Sequence, residues 1–303
     1  MKKAFLQLHF AVILAGFTAI LGKLIELNEG LLTLYRMLLS AVILALILYF
    51  RKEFKKISRK NTLQLLSTGA IVACHWVFFY GSIKYSNVSV SVTCLSTIGF
   101  FTSLFEPLIM RKRVDFVEVL LGLFAIAGVY LIFNFYPEYK TGIIFGIISA
   151  IFACLFPIIN KNILLTFSPR TVTFYEMTGG SIALCFILPV YLQYFPASYF
   201  IPTLQDFFWL LILSGICTVF AFNLSLNALK HMSAFTTNLT YNFEPVYSII
   251  LAFIIFKENK FLGPGFYFGF ALILLAVSLQ MLRIYRQRKA KQPLRSYLIR
   301  KTN

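Results

Sequence analysis

The chain contains a hydrophobic unit that occurs twice, the second copy beginning about half a chain length after the first. Residues 33–37 read TLYRM and residues 173–177 read TFYEM. Three further pairs of segments keep the same order: 22–25 with 160–163, 82–84 with 228–230, and 122–126 with 269–273. Small insertions are enough to relate the two halves. A duplicated membrane unit is typical of a carrier whose binding site lies where the two repeats meet.

The composition places the chain in a membrane. Of its 303 residues, 59% are hydrophobic and only 13% are charged, with a mean hydropathy of +0.80. A soluble domain has nearer a quarter of its residues charged. The five cysteines all fall inside apolar runs without metal-ligand spacing, which predicts reduced core residues and no metal site. The sequence also indicates no cofactor.

The apolar runs predict an all-α protein with ten transmembrane helices, because about 20 apolar residues cross a bilayer. The predicted spans are approximately 4–22, 31–50, 63–83, 88–110, 116–135, 142–161, 171–194, 206–228, 234–256 and 265–284. Ten spans divide into two repeats of five, predicted at 1–137 and 138–285, followed by a basic tail at 286–303. Since five is odd, the second repeat enters the membrane from the opposite side, and the duplication is inverted.

The basic residues predict the orientation. Twenty-two of the 28 Lys and Arg residues fall on the side of the amino terminus and five on the opposite side, while Arg36 lies within a span. The excess of basic residues in cytoplasmic loops then places both termini in the cytoplasm, with the protein in a bacterial inner membrane. The net charge of +17 is thereby explained by topology, and no nucleic-acid partner is expected. The lipid bilayer is the expected surrounding.

Charged side chains within spans are costly, so each is a candidate for function. Arg36 lies near one end of the second span, and Glu176 occupies the matching position of the seventh span, near the opposite mouth. Two interpretations stay open: these residues gate or orient a substrate at each mouth, or Arg36 caps carbonyl groups and Glu176 pairs with a cytoplasmic base.

Glu244 is the carboxylate nearest the middle of the bilayer. Pro245 follows it and is expected to kink the helix and free a backbone carbonyl. Polar groups and an exposed carbonyl at mid-membrane are typical of a carrier site. The side chains expected to line this site with Glu244 are Asn238, Tyr241, Asn242, Asn223 and Asn227.

A histidine–aromatic group lies on the third span. Trp76 and Tyr80 are four residues apart and share a helix face, while His75 is adjacent to Trp76. The group is interpreted either as an aromatic wall that stacks a planar ligand or holds a cation, or as packing between helices.

The two five-helix units resemble the EamA-like transporters of the drug/metabolite transporter superfamily. The resemblance rests on Tyr35-Arg36-Met37, on the Glu244-Pro245 turn, on the acid Glu258 and on a small-residue helix closing each repeat, and it covers residues 1 to about 285. It implies a central cavity between repeats and substrates that are small organic metabolites, amino acids among them. It also implies outward transport, with a proton as candidate coupling ion.

The first repeat departs from this pattern. No proline stands near Ile98, the position equivalent to Pro245, and Glu106-Pro107 comes about nine residues later. The symmetry of the two repeats at mid-membrane is therefore expected to be incomplete.

The sequence thus predicts a secondary transporter, monomeric or weakly dimeric, that exports small metabolites by alternating access. Two alternatives stay open. A membrane receptor or assembly partner would leave the middle of the membrane dry, and a membrane-embedded enzyme would bring Glu106, Glu118 and His9 together at one bilayer boundary.

Overall fold

The structure is a computed structural model. It describes the backbone of residues 2–54, 56–241 and 243–301, and the side chains of these residues except 2, 234–235, 238–239, 284–285 and 287–301.

The described chain is built from α-helices. In chain order they are α1 (Lys2–Leu24), α2 (Glu29–Phe50), α3 (Arg59–Tyr85), α4 (Val88–Leu95), α5 (Ile98–Met110), α6 (Phe116–Phe135), α7 (Lys140–Ile163), α8 (Pro169–Tyr194), α9 (Leu204–Ser214), α10 (Ala221–His231), α11 (Ala234–Tyr241), α12 (Glu244–Phe256) and α13 (Pro264–Lys301). A π-helical segment, Gly215–Phe220, joins α9 to α10.

Polar residues mark where the long helices begin. Ser58 caps α3 and Ser168 caps α8, each accepting a hydrogen bond from a backbone N–H of the first turn. Thr203 and Asp206 form a reciprocal capping box at the start of α9. These side chains satisfy donors that have no partner within the helix, so they set the limits of apolar segments that hydrophobicity alone leaves undefined.

The prediction of a polytopic all-α membrane protein is confirmed. In the described residues, nine helical stretches are long and apolar enough to cross a bilayer. The remaining predicted span, 234–256, is divided into α11 and α12, and α12 alone has 13 residues. At 1.5 Å per residue α12 is about 20 Å long, so it needs α11 to complete the crossing.

Each repeat contains one broken helix, and this corrects the expectation of incomplete symmetry. The break between α11 and α12 was predicted from Pro245, but α4 and α5 are also separated, at Ser96 and Thr97, without a proline. There the N–H of Thr97 bonds the carbonyl of Cys94 at 3.1 Å, and its hydroxyl donates to the same oxygen at 2.7 Å. These two hydrogen bonds satisfy the carbonyl group of Cys94 within a tight turn. The break in the first repeat therefore arises from Thr97, whereas the break in the second repeat lies next to Pro245.

The two repeats interleave. Helix α3 packs against α7 and α8, α6 packs along α13, and α4 packs against α12. Glycines allow the closest approaches: a Cβ on Gly69 would collide with the backbone of Glu176, and Gly128 and Gly269 face each other across α6 and α13. Small residues at helix crossings are the usual means of close packing in membranes.

Candidate functional site

Arg36 of α2 is held in the protein interior by side chains from α3 and from the π-helical segment. Its side chain is 2% exposed, and its Nε donates to the hydroxyl of Thr218 at 2.8 Å. One terminal nitrogen donates to the hydroxyl of Tyr80, and the guanidinium carbon lies 3.5 Å from the centre of the Trp76 ring. The expectation that Arg36 lies at a mouth was therefore wrong: the guanidinium points inward, onto hydroxyl and aromatic partners.

The local fold explains why these groups meet. Trp76 and Tyr80 are one helical turn apart on α3 and present one face to α2. Thr218 lies in the π-helical segment, where its hydroxyl donates to the carbonyl of Leu213, five residues earlier, at 2.8 Å. π-Helical turns are frequent at functional sites. Gly22 of α1 leaves room for the ring of Tyr80, since a Cβ there would collide with that ring.

Glu244 begins α12 immediately after the break and is 7% exposed. It is near enough to Arg36 for the two charges to interact. No ion pair joins these two described side chains. Opposite charges thus share one region of the interior without neutralising each other directly.

A cavity of about 50 Å³ adjoins Glu244. The ends of both broken helices contribute to it: Leu95 and Ile98 from α4 and α5, and Tyr241 with Glu244 from α11 and α12. The other lining residues are His75, Ala153, Phe156, Pro157, Ser225, Leu226, Leu229 and Thr237. The cavity therefore lies between the two repeats. At this volume it holds a few water molecules, whereas sites for organic ligands are several-fold larger.

The three members of the predicted aromatic group have different roles. His75 lines the cavity, and its Nδ1 lies 2.8 Å from the hydroxyl of Ser149. Trp76 and Tyr80 instead surround Arg36. Phe156 packs against His75 and against Phe222, and Phe222 packs against Trp76, so a row of rings connects the cavity with the Arg36 cluster.

Two of the predicted cavity residues lie elsewhere. Asn223 and Asn227 line a separate cavity of about 260 Å³ at the face that holds the amino terminus, here called the amino-terminal face. Ser225, Leu226 and Leu229 of the same helix, α10, line the Glu244 cavity at a similar depth. Asn223 and Asn227 are one helical turn apart and so share a different face of α10, which directs them to the other cavity.

Part of the predicted site has no described side chain. Asn242 lies outside the described residues, and for Asn238 only the backbone is described, within α11. Their place beside Glu244 stays a prediction.

Glu176 lies in the interior of α8 with 0% exposure. Asn160 of α7 donates from Nδ2 to its Oε1 at 2.6 Å. The structure records no ion pair for this carboxyl among the described residues, so the expected pairing with a cytoplasmic base was wrong. Glu176 also does not line the cavity beside Glu244.

The face opposite the amino terminus, here called the far face, is tied together by Glu258. Its carboxylate receives hydrogen bonds from Lys23 at 2.7 Å and from the hydroxyl of Ser89 at 2.6 Å. It also accepts from the backbone N–H groups of Val88 at 3.1 Å and Ser89 at 2.9 Å. Because α1, the start of α4 and the segment after α12 all meet at one carboxylate, this contact joins the two repeats.

The sequence did not single out Thr218 or Ser149, and it placed Asn160 only in a repeat pairing. Single Thr and Ser residues are common in membrane helices, so neither carries a signal by itself. Asn160 was detectable, because a carboxamide within an apolar run needs a partner.

The residues named for the enzyme alternative each have a separate direct partner. His9 packs against Phe5 and Phe243, Glu106 pairs with Lys112 at 2.9 Å, and Glu118 faces Arg283 at 3.9 Å.

Comparison with known proteins gives relatives in the same class. The chain is 26% identical over 274 residues to the uncharacterized transporter YetK of Bacillus subtilis (strain 168), covering 84% of this chain and 80% of YetK. It is 22% identical over 246 residues to the uncharacterized transporter YxxF of the same organism, covering 78% and 74% of the two chains. A solved structure described as "Crystal structure of protein" shares the fold, with a TM-score of 0.65 and 15% identity over 93% of this chain and 98% of that one.

The sequence model of the EamA-like transporter family matches residues 2–134 and again residues 140–282. Together the two matches cover most of the chain and both five-helix repeats. The resemblance seen in the sequence is confirmed, and the family indicates a transporter rather than an enzyme. The chain belongs to the EamA-like transporter family.

Proposed function

We propose that this protein is a secondary transporter of the bacterial inner membrane that exports small organic metabolites, amino acids in particular. The observation that carries the proposal is the pair Arg36 and Glu244, two buried side chains of opposite charge that share the interior without an ion pair.

This arrangement is complementary to a zwitterion. The guanidinium of Arg36 is suited to a carboxylate, which it binds through charge-assisted hydrogen bonds. Glu244 is suited to an ammonium group, and the cavity between the broken helices borders it. An α-amino acid presents both groups a few ångströms apart. Trp76, Tyr80, His75 and Tyr241 would supply the surrounding wall, with Asn238 and Asn242 as further hydrogen-bonding groups on the α11 side.

Two features of the faces support loading from the cytoplasm. Glu258 ties the far face together, while the cavity of about 260 Å³ opens at the amino-terminal face. With both termini in the cytoplasm, as the basic residues indicate, this form would load from the cytoplasm. The repeats 1–137 and 138–285 would then move against each other, and the breaks beside the cavity would act as the flexible points.

Thermal unfolding of the detergent-purified protein, measured against a panel of amino acids, nucleosides, sugars, polyamines and cationic drugs, tests the proposal. A ligand at 100 times its dissociation constant adds about 2.7 kcal/mol to the free energy of unfolding. We expect amino acids to raise the unfolding temperature of the wild type and of Glu138→Gln, since Glu138 is exposed in the segment between α6 and α7 and does not line the Glu244 cavity. Glu244→Gln should remove the response.

A response that survives in Glu244→Gln contradicts the site. A panel without any response contradicts the amino-acid assignment, and it favours a receptor or assembly partner within the same fold.

A further inference from the structure

The carboxyl group of Glu176 is a buried titratable group that the Arg36–Glu244 site leaves unused. It is fully buried between α8 and α7, and the side chain of Asn160 beside it is fully buried as well. Asn160 donates from Nδ2 to Oε1 of Glu176 at 2.6 Å.

One oxygen of each side chain is left without a partner. Oε2 of Glu176 and Oδ1 of Asn160 are buried and have no hydrogen-bond partner among the described residues. Both atoms only accept hydrogen bonds while the carboxyl is ionised, and a buried acceptor without a donor costs about 1–3 kcal/mol. A proton on Oε2 supplies the missing donor, because Oε2–H donates to Oδ1 while Nδ2–H donates to Oε1. A carboxylic acid and a carboxamide then form a closed pair with two hydrogen bonds.

The charged and titratable groups on α2 and α3 are directed elsewhere. Arg36 of α2 donates to Thr218 and Tyr80. On α3, His75 bonds Ser149, and Cys74 is a free thiol.

The groups on α7, α10 and α8 itself do not neutralise Glu176 either. Lys161 of α7 donates to backbone carbonyl oxygens at the end of α10, including that of Lys230 at 3.3 Å. Arg170 of α8 pairs with Glu53 at 2.5 Å. Charge on Glu176 therefore has no cationic partner from the described side chains of these helices.

A cavity at the amino-terminal face lies near Glu176 along α8. Thr171, which lines the cavity at the amino-terminal face, precedes Glu176 by five residues on α8, about 8 Å along the helix. The carboxyl is thus buried but lies near a cavity on one side of the membrane.

We propose that Glu176 and Asn160 form a proton-binding site that exchanges with the amino-terminal face, and that this proton is the coupling ion of transport. The second half of this inference rests on the proposed transport function. Binding adds one proton to Oε2 and release returns it to solvent, so the pair changes by one unit of charge in a region without a counter-ion.

Infrared difference spectroscopy of the purified wild type against Glu176→Gln tests the site with protons as the only ligand. We expect the wild type to show a protonated-carboxyl C=O band that Glu176→Gln lacks and that Glu244→Gln and Glu138→Gln retain. The glutamine side chain can form the same two-bond pair with Asn160, so the variant should fold, which its thermal unfolding verifies. Asn160→Leu should shift the band, because the acid then loses its amide partner.

Transfer of the protein to D₂O tests whether the proton on Glu176 exchanges with solvent. The Glu176 band should shift within minutes of mixing as the acid exchanges its proton. A spectrum in which Glu176→Gln removes only an ionised carboxylate band overturns the proton site, and it would instead indicate a water bridging the two oxygens. A band that never shifts in D₂O means a sealed acid and overturns the coupling role.

These spectra need no substrate, so the two proposals fail separately. Absence of the Glu176 band leaves the amino-acid site at Arg36 and Glu244 intact. Absence of any amino-acid response in thermal unfolding leaves the proton site intact.

Discussion

Arg36 and Glu176 occupy the same position in the two repeats, one in TLYRM and the other in TFYEM, and their surroundings differ completely. Arg36 is surrounded by the hydroxyls of Tyr80 and Thr218 and by the ring of Trp76. Glu176 accepts one hydrogen bond, from the carboxamide of Asn160, and its other oxygen has no partner among the residues that the structure describes. The two repeats therefore carry different chemistry at one equivalent position: a cation with hydroxyl and aromatic partners in the first, and an acid with a carboxamide partner in the second.

The residues that follow the two broken helices show the same divergence. Arg111 after α5 and Lys257 after α12 both adopt left-handed backbone conformations, with φ of 51° and 55°. The next residue is Lys112 in the first repeat and Glu258 in the second. Glu258 binds Lys23 at the far face, whereas Lys161, the counterpart of Lys23, donates to carbonyl groups instead. The two equivalent lysines thus have different partners, a carboxylate at the far face and carbonyl oxygens at the amino-terminal face, which breaks the symmetry of the fold.

The largest expected effect is on ligand affinity and comes from substituting Arg36. This effect would distinguish Arg36 from Glu176, its equivalent in the second repeat. Arg36→Met removes two charge-assisted hydrogen bonds to a ligand carboxylate, together about 3 kcal/mol. We expect about 100-fold weaker binding of any stabilising amino acid, measured by thermal unfolding over a ligand titration. Arg36→Lys keeps the positive charge but lacks the planar guanidinium group. Its affinity for the amino acid should therefore lie between those of the wild type and of Arg36→Met. Unchanged affinity in Arg36→Met would exclude the guanidinium as a ligand group.

The second-largest effect is expected for Glu258→Gln, which should weaken the contacts between helices at the far face. It removes the ion pair with Lys23 and leaves the N–H groups of Val88 and Ser89 competing for one amide oxygen, a loss of about 2 kcal/mol in the free energy of unfolding. Denaturant unfolding measures the loss, with Glu138→Gln as the matched control on the same face.

Opening of the far face can also be measured by cysteine labelling. Cys94 of α4 is buried, so its labelling by a maleimide should be faster in Glu258→Gln, as read by peptide mass spectrometry. Equal labelling rates in Glu258→Gln and Glu138→Gln would show that the carboxylate does not hold the far face closed.

Glu176→Gln is expected to change stability less, and in the opposite direction. The amide donates to Oδ1 of Asn160 at any pH, whereas the acid does so only while it is protonated. Under conditions that ionise Glu176, the variant should therefore gain about 1 kcal/mol in the free energy of unfolding relative to the wild type. The unfolding temperatures of Glu176→Gln and Glu244→Gln, each compared with the wild type, show whether the two acids differ in their effect on stability. A clear loss of stability in Glu176→Gln would mean that the ionised carboxylate is required for folding.

The smallest effect concerns pH at the amino-terminal face. Asp115 caps α6 and pairs with Arg283. Partial burial raises the pKa of Asp115, but the hydrogen bonds from Arg283 and the N–H of Val117 outweigh it, so the net shift is downward. A lowered pKa in the folded state adds stability that is fully present near neutral pH and is lost as the pH falls below about 4.

For this partly exposed pair the contribution is about 0.5 kcal/mol. The difference in unfolding temperature between wild type and Asp115→Asn should shrink between pH 6 and pH 3. A difference that stays constant over that range would assign the effect to helix capping alone.

The depth of the site illustrates what could be predicted. Glu244, Tyr241 and His75 were expected at mid-membrane and do line one cavity, because a proline after an acid marks a break and a midspan histidine stands out. Arg36 was expected at a mouth of the pathway, because sequence gives its depth in the membrane only from its position along the helix. Its partner Thr218 comes 182 positions later in the chain, and local pattern contains no information about that contact.

Sequence alone is enough to predict that the chain spans a membrane, that it does so as two inverted five-helix repeats, and which charges lie within the spans. These properties depend on hydrophobic length, on the parity of the spans and on the distribution of Lys and Arg, all of which are local or additive. The tertiary structure alone decided that both repeats contain a broken helix, that Arg36 and Glu244 share one region, and that Glu176 faces Asn160. Those outcomes depend on how helices distant in the chain pack against one another, where one hydroxyl or one glycine decides which side chains meet.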